Sequence, residues 1–329
     1  MTTTGSNVLT LADWAKRLDP NGRVDRIVEI LNATNEVLDD MQWVQANDGT
    51  SHRTTIRTGI PEAAWRMLNY GVPSVKSSTA QVRDTTGMLE VYSECDKALA
   101  DMSDDLKNFR LSEAKPIMEG MSQQMASTIF YGNVMVNPER FLGLAPRYNS
   151  LSAGNKDNII DAGGTGVDNT SVWLVGWGEN TCHGLFPKGS KAGLQHTDKG
   201  QVTLEDAEKG KYEGFRDHFK WDAGLTLRDW RYVVRVANID VSLLSSDTAY
   251  LKAIIGKLIE AEERIPTMNG GRFAWYGNGT IRAALRNAIL EKVASNLTEE
   301  TVAGKRVTMF DGIPFRKVDA LINAEARVV

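Results

Sequence analysis

Residues 42–92 constrain this chain more than any other stretch, because they are too poor in apolar side chains to close a core of their own. Trp43 and Val44 precede Asn47-Asp48-Gly49, and Thr54-Thr55-Ile56-Arg57-Thr58 follows, a pattern of two extended runs about a turn. Pro61, Trp65, Tyr70, Gly71 and Pro73 then interrupt any regular period. Ser74 to Thr79 is small and polar, and Thr85 to Tyr92 alternates loosely. Fifty residues of strand and turn with so few apolar anchors must lie on something else, either the rest of the chain or another molecule.

The flanks supply what this excursion lacks. Residues 1–8 read as disordered or extended. Thr10 or Asp13 caps a short helix through Leu18, which Asp19-Pro20-Asn21-Gly22 ends. A second helix is predicted from Arg23 to Met41, with Val24, Ile27, Val28, Leu31, Val37, Leu38 and Met41 near helical spacing. A charged helix is predicted over Asp96 to Phe109, and another begins near Pro116, where a proline suits the first turn. Ile117, Met121, Met125 and Ile129 recur every four residues in it, with Met118 and Ala126 beside them, so one face is buried along its length. The methionines are packing material rather than ligands. Glycine stops this helix at Tyr131-Gly132-Asn133. A turn at Pro138 follows, and Phe141 and Leu142 form a second apolar anchor.

Residues 150–168 are rich in Gly, Asn and Asp and read as a loop, before a buried strand at Ser171 to Gly178. Trp173 and Trp177, four apart, share one face of that strand and fill core. Leu185 to Asp198 carries several glycines, and Gln201 to Lys211 reads as an exposed insertion. Strands are expected around Tyr212–Leu225 and Trp230–Ile239. A helix is expected over Thr248–Arg264, ended by Pro266, and then a strand at Phe273–Tyr276. Gly277-Asn278-Gly279 turns the chain into a helix over Thr280–Val293. Strands at Val307–Phe310 and Pro314–Val318 flank the Asp311-Gly312 turn. Regular alternation of strand and crossover helix is missing, so the class is α+β.

The bulk numbers exclude more than they assign. A net charge of −4 over 329 residues argues against a basic surface that coats nucleic acid. Cys95 and Cys182 make no disulfide framework and suit a reducing compartment. The first ten residues lack the features of a signal peptide, and no run of apolar residues is long enough to span a membrane. His52, His183, His196 and His218 form no metal-binding spacing, and Gly163-Gly164-Thr165-Gly166 lacks the Lys-Ser/Thr of a phosphate loop. Neither metal nor cofactor is expected. Glu205-Asp206 and Glu262-Glu263 read as solvated surface. The enzymatic alternative is a carbohydrate hydrolase pairing such carboxylates with Trp173 or Trp230 in a cleft.

Three passages carry a resemblance. The helix into Tyr131-Gly132-Asn133, followed by Pro138-Glu139-Arg140-Phe141-Leu142-Gly143-Leu144, is similar to a passage of tailed-bacteriophage major capsid proteins. Phe273-Ala274-Trp275-Tyr276-Gly277-Asn278 resembles that family's strand-to-helix turn, and Asp311-Gly312-Ile313-Pro314 through Asp319 resembles its ending. The resemblance implies a Hong-Kong-97-like α+β fold and no enzymatic activity. It implies an N-terminal arm over 1–41, an extended loop over 42–92 that lies across a neighbouring subunit, and a peripheral domain with a spine helix over 93–169. A mainly axial domain would occupy 170–310, with returning strands over 311–329.

Such a protein would self-assemble into pentamers and hexamers of an icosahedral shell around double-stranded DNA, without sequence-specific binding. It would reside in the virion after assembly in the host bacterial cytoplasm. Scaffolding would be a separate protein, since folded-looking sequence begins near Leu9, and portal and cement proteins are further partners. Trp43, Trp65 and Tyr70 are the candidate intersubunit contacts, because aromatic anchors dominate interfaces. Packing inside their own subunit is the competing reading. A tail-tube or decoration protein is the alternative virion part, which the predicted helices disfavour.

Overall fold

The computed structural model describes residues 35–329 other than 50, 60, 103–104, 207, 291–296 and 303–304. The helix expected over 10–18 and most of that over 23–41 lie outside these residues. The last turn of the latter is present as Val37–Asp40. In chain order the described strands are β1 (Trp43–Gln45), β2 (Ser51–Gly59), β3 (Ser78–Asp96), β4 (Ile159–Asp161), β5 (Asn169–Trp177), β6 (Cys182–Phe186) and β7 (Gln195–Glu205). They continue with β8 (Lys211–Leu227), β9 (Val233–Asp240), β10 (Arg272–Gly277), β11 (Leu297–Val302), β12 (Lys305–Phe310) and β13 (Ile313–Lys317).

The core is built around β5, every residue of which is buried. It lies antiparallel between β9 and β10, with Val175 opposite Val233 and Trp173 opposite Tyr276. Successive side chains of a strand point to opposite faces, so a strand buried on both sides reads as a continuous apolar run. Trp173, Val175 and Trp177, with Ala274 and Tyr276 of β10, face one cluster, which the helix Leu106–Tyr131 covers with Met121, Met125, Ile129 and Phe130. Val172, Leu174, Phe273 and Trp275 face the other. There the helix Thr248–Glu263 contributes Leu251, Ile254, Ile255 and Leu258, and Gly279–Leu290 contributes Ile281 and Leu285. The sheet continues from β10 through β13 and β12 to β11. The β12–β13 turn places Asp311 and Gly312 both at positive φ, 46° and 78°, as a tight hairpin turn requires.

A second run of strands, β6, β8, β3 and β2, adjoins the first where Trp177 of β5 pairs with Cys182 of β6. β3 is 19 residues long and divides its partners. Thr86 to Asp96 pair with β8, whereas Ser78 to Thr85 pair with β2.

The long helix explains the glycines of its C-terminal passage. A helix leaves its last four carbonyls without intrahelical partners. Here the Gly132 N–H donates to Thr128 O at 2.8 Å and the Leu144 N–H donates to Ile129 O at 2.9 Å, so residues 141–144 fold back on the helix end. That return needs close backbone approach. A Cβ at Gly143 would lie 2.6 Å from Thr128 O and 2.8 Å from Ile129 O, distances that real Cβ atoms do not adopt.

Three expectations are corrected. The helical stretch predicted over 96–109 is two pieces: Lys97–Asp101, capped by Asp96, and the start of the long helix at Leu106. That helix runs for 26 residues straight through Pro116, so the proline sits in its interior and not in its first turn. Asp105 accepts hydrogen bonds from the N–H groups of Lys107 and Asn108, and Phe109 and Ala114 are buried on the N-terminal side of the proline. Cap and packing together override the interior cost of proline.

The supposed insertion over 201–211 is half of a hairpin in which β7 pairs with β8 from Gln195 opposite Lys220 to Glu205 opposite Lys211. Most of β7 meets water, with Leu204 buried, which is why it reads as a polar segment. Strands β4, β6 and β11 are additional to those expected.

Candidate intersubunit contact surface

The ribbon formed by β2 and the outer part of β3 stands beyond the sheet. Its register runs from Ser51 opposite Thr85 to Gly59 opposite Ser78, with an irregularity between Arg57 and Gly59. Beyond Thr85, β3 has β2 as its paired neighbour among the described residues, so about eight residues, or roughly 26 Å, project as a two-stranded ribbon. Such a ribbon is marginal in water without a third strand or a surface to lie on.

Residues 61–77 join the two strands without regular structure. They expose Trp65 completely (103%), Leu68 at 82%, and Met67, Tyr70, Val72 and Val75 at more than half. A cluster of large apolar side chains held in water at the end of an extended ribbon is the signature of a contact surface.

The root of the ribbon is held firmly. Arg147 Nη2 donates to the buried Asp84 Oδ1 at 2.8 Å, with Arg147 itself half-buried, and also reaches the carbonyls of Leu142 and Leu225. The Arg83 Nε donates to Ser51 Oγ at 2.9 Å, and Asn47 bonds the backbone of Arg53 in both directions. Gly87, just inside the root, lets β3 pass close to the backbone of Glu139. His52 of β2 and His183 of β6 are both buried, their rings edge to face at 5.7 Å. Burial, the Arg228 charge and His52 push the His183 imidazole down to about 4. His52 is lowered for the first two of these reasons, partly offset by Asp84. Both rings are therefore neutral near pH 7.

The three aromatic residues named from sequence separate in space. Trp65 and Tyr70 lie on the exposed tip. Trp43 lies on the body, half-buried against the core. A Cβ on its pairing partner Gly184 would meet the Trp43 ring at 2.8 Å. Met67, Leu68, Val72 and Val75 were missed, since scattered apolar residues between prolines carry no period. So was the Asp84–Arg147 pair, whose partners lie 63 positions apart.

The chemistry elsewhere is that of packing. Burial pushes the Cys95 and Cys182 thiols up to about 12, which removes them as nucleophiles. Trp173 is wholly buried between Phe130 and Tyr148 and lines no cleft. Glu262 corrects the solvated reading of Glu262-Glu263. It is half-buried, accepts from Trp275 Nε1 at 3.3 Å, and is raised to about 7 by burial and the nearby Asp311. Among the described residues no group of three or more His, Cys, Asp or Glu is placed to hold a metal. None of the described helices is long and apolar enough to cross a membrane.

The model of the family "Major capsid protein GP7" matches residues 19–329. Among solved structures, a chain of the near-atomic cryo-EM structure of bacteriophage Epsilon15 aligns with a TM-score of 0.74 and 38% identity, over 100% of this chain and 99% of that one. The capsid of bacteriophage JBD30 aligns with a TM-score of 0.50 and 9% identity, over 88% of this chain and 92% of that one, a likeness of fold alone. No curated protein matches the sequence.

Proposed function

The chain belongs to the major capsid protein GP7 family and is a subunit of the icosahedral head shell of a tailed phage, with a Hong-Kong-97-like fold; from that premise we propose that copies assemble into pentamers and hexamers by laying the β2–β3 ribbon across a neighbouring subunit. The observation that carries this reading is the exposure of six large apolar side chains, Trp65 foremost, at the end of a ribbon with no third strand among the described residues. In a monomer that surface is an aggregation hazard. In a closed shell each copy covers it for the next, which is how a heterologous contact closes into a ring.

In this assignment residues 1–41 are an N-terminal arm and 42–92 the extended loop, although Thr86 to Tyr92 pair with the body. The long helix is the spine of a peripheral domain over 93–169. The sheet around β5 with its helices forms the axial domain over 170–310, and 311–329 return to the core. The subunit's role is structural rather than enzymatic. It encloses double-stranded DNA without sequence-specific contact, in keeping with its net charge of −4. Assembly in the bacterial cytoplasm with separate scaffolding, portal and cement proteins completes the proposal.

The test pairs wild type with Trp65→Ala/Tyr70→Ala. The variant is expected to keep its circular dichroism spectrum and midpoint of urea unfolding, since both residues are solvent-exposed. It is expected to form far fewer particles by negative-stain microscopy and sedimentation. Assembly of the variant at the wild-type rate and yield would sink the ribbon reading.

A further inference from the structure

The body of the subunit carries a surface that matches the exposed tip. Beside the ribbon's root lies a shallow cleft of about 100 Å³, lined among others by Met88, Leu89, Met125, Phe141, Glu139 and Arg140. Its floor is apolar, since Met125 and Phe141 are buried core residues. Met88 stands 68% exposed at its rim, a flexible side chain suited to adapting to an inserted ring. Gly87 shapes one wall by bringing β3 against the 139–141 backbone. Glu139 and Arg140 have no ion pair among the described residues, and neither do Glu62 and Arg66, which bracket Trp65 on the tip. Two surfaces of one chain thus carry complementary features: an exposed indole flanked by an acid and a base, and an apolar cleft rimmed by a base and an acid.

We infer that this cleft is the socket for the ribbon tip of a second copy of the chain, with Trp65 inserted against Met88 and Phe141 and the Glu62 and Arg66 charges meeting Arg140 and Glu139. The proposal rests on the reading that copies join through the ribbon, and it specifies where the ribbon lands. The head-to-tail geometry follows. Tip and socket lie on different parts of one subunit, so each copy donates to one neighbour and receives from another, as a ring requires. Aromatic insertion supplies the burial, and the flanking charges set the register.

The test is a charge-reversal cycle in the full-length protein, read as the rate of particle formation by light scattering. Arg66→Glu and Glu139→Arg should each slow assembly about tenfold, and the two together should return to within about twofold of wild type. A geometric readout accompanies it. Ala64→Cys, beside Trp65, combined with Met88→Cys and oxidised after assembly, should give a ladder of covalent multimers that neither single variant gives. Single reversals without effect, or losses that add without rescue, together with an unlinked cysteine pair in well-formed shells, overturn the socket. In that case protection of residues 61–77 from protease in the finished shell leaves the ribbon reading intact, whereas a tip still cleaved there overturns both.

Discussion

Glu325→Gln should cost this protein several degrees of thermal stability, although it changes one side-chain atom near the C-terminus. Glu325 is buried and meets the equally buried Arg235, whose Nη2 lies 2.7 Å from Glu325 Oε2. The same guanidinium donates to Ser171 Oγ at 3.0 Å and to the Tyr148 carbonyl at 2.8 Å, and stacks 5.0 Å above the Trp173 ring. Ser171 and Tyr131 hydroxyls donate to the Glu325 carboxylate, so the tail is tied to the long helix and to β5 at one point. Burial, then the Glu325 charge, pushes the Tyr131 phenol far above its usual range.

Neutralising Glu325 leaves the Arg235 charge buried without its counter-ion, a loss of about 3–5 kcal/mol. Unfolding entropy near 2.1 cal/mol/K per residue, taken over the whole chain as one cooperative unit, converts that to a fall in Tm of about 4–7 °C. The assay is differential scanning calorimetry of unassembled protein, with a replacement of both partners, Arg235→Met/Glu325→Leu, as the control. Because the double variant leaves no orphan charge, it should be more stable than Glu325→Leu alone. A shift below about 1 °C for Glu325→Gln, or a double variant worse than the single, would refute the argument that the pair is held by desolvation.

Two further outcomes are expected. The folded state holds His183 neutral down to about 4, against the ordinary imidazole value of 6.5, so it binds fewer protons than the unfolded chain between those pH values. Its contribution is therefore complete above pH 6.5, falls as the pH drops toward 4 and levels off below, a total on the order of 3 kcal/mol. Urea midpoints from pH 7.5 to 4.5 should fall less steeply for His183→Leu than for wild type, and parallel curves would contradict this. Gly143→Ala places a methyl against the carbonyls of Thr128 and Ile129 and should destabilise by about 2 kcal/mol or more, read as a lowered urea midpoint.

Much of this architecture is visible in the linear chain. The four-residue spacing from Ile117 to Ile129 marks the buried face of the spine, and the run Ser171–Trp177 marks a strand buried on both faces, because helix and strand periods report burial directly. Asp311-Gly312 marks a turn that the structure builds with two positive φ values. The candidate contact surface was legible in outline: a segment too poor in apolar residues to fold alone, carrying Trp65 and Tyr70.

Other features were hidden for identifiable reasons. Pro116 masked the continuity of a 26-residue helix, since its penalty is local and the packing that outweighs it is not. β7 hid because a largely exposed strand of mostly polar residues, with Leu204 buried, has the composition of a loop.

Local chemistry along the chain therefore settled where elements begin, end and bury a face: caps at Asp105 and Asp240, close-approach glycines at 132 and 143, and the continuous apolar run of β5. Pairing between distant segments belonged to the folded molecule. β3 joins β8 across more than a hundred residues, Glu325 finds Arg235 across 90, and Glu262 is half-buried beside Trp275 and the Asp311 charge. A side chain's own preference for water is written at its position, whereas the identity of its partner depends on which of several strand edges and helix faces reaches it first. That competition is decided by the whole chain at once.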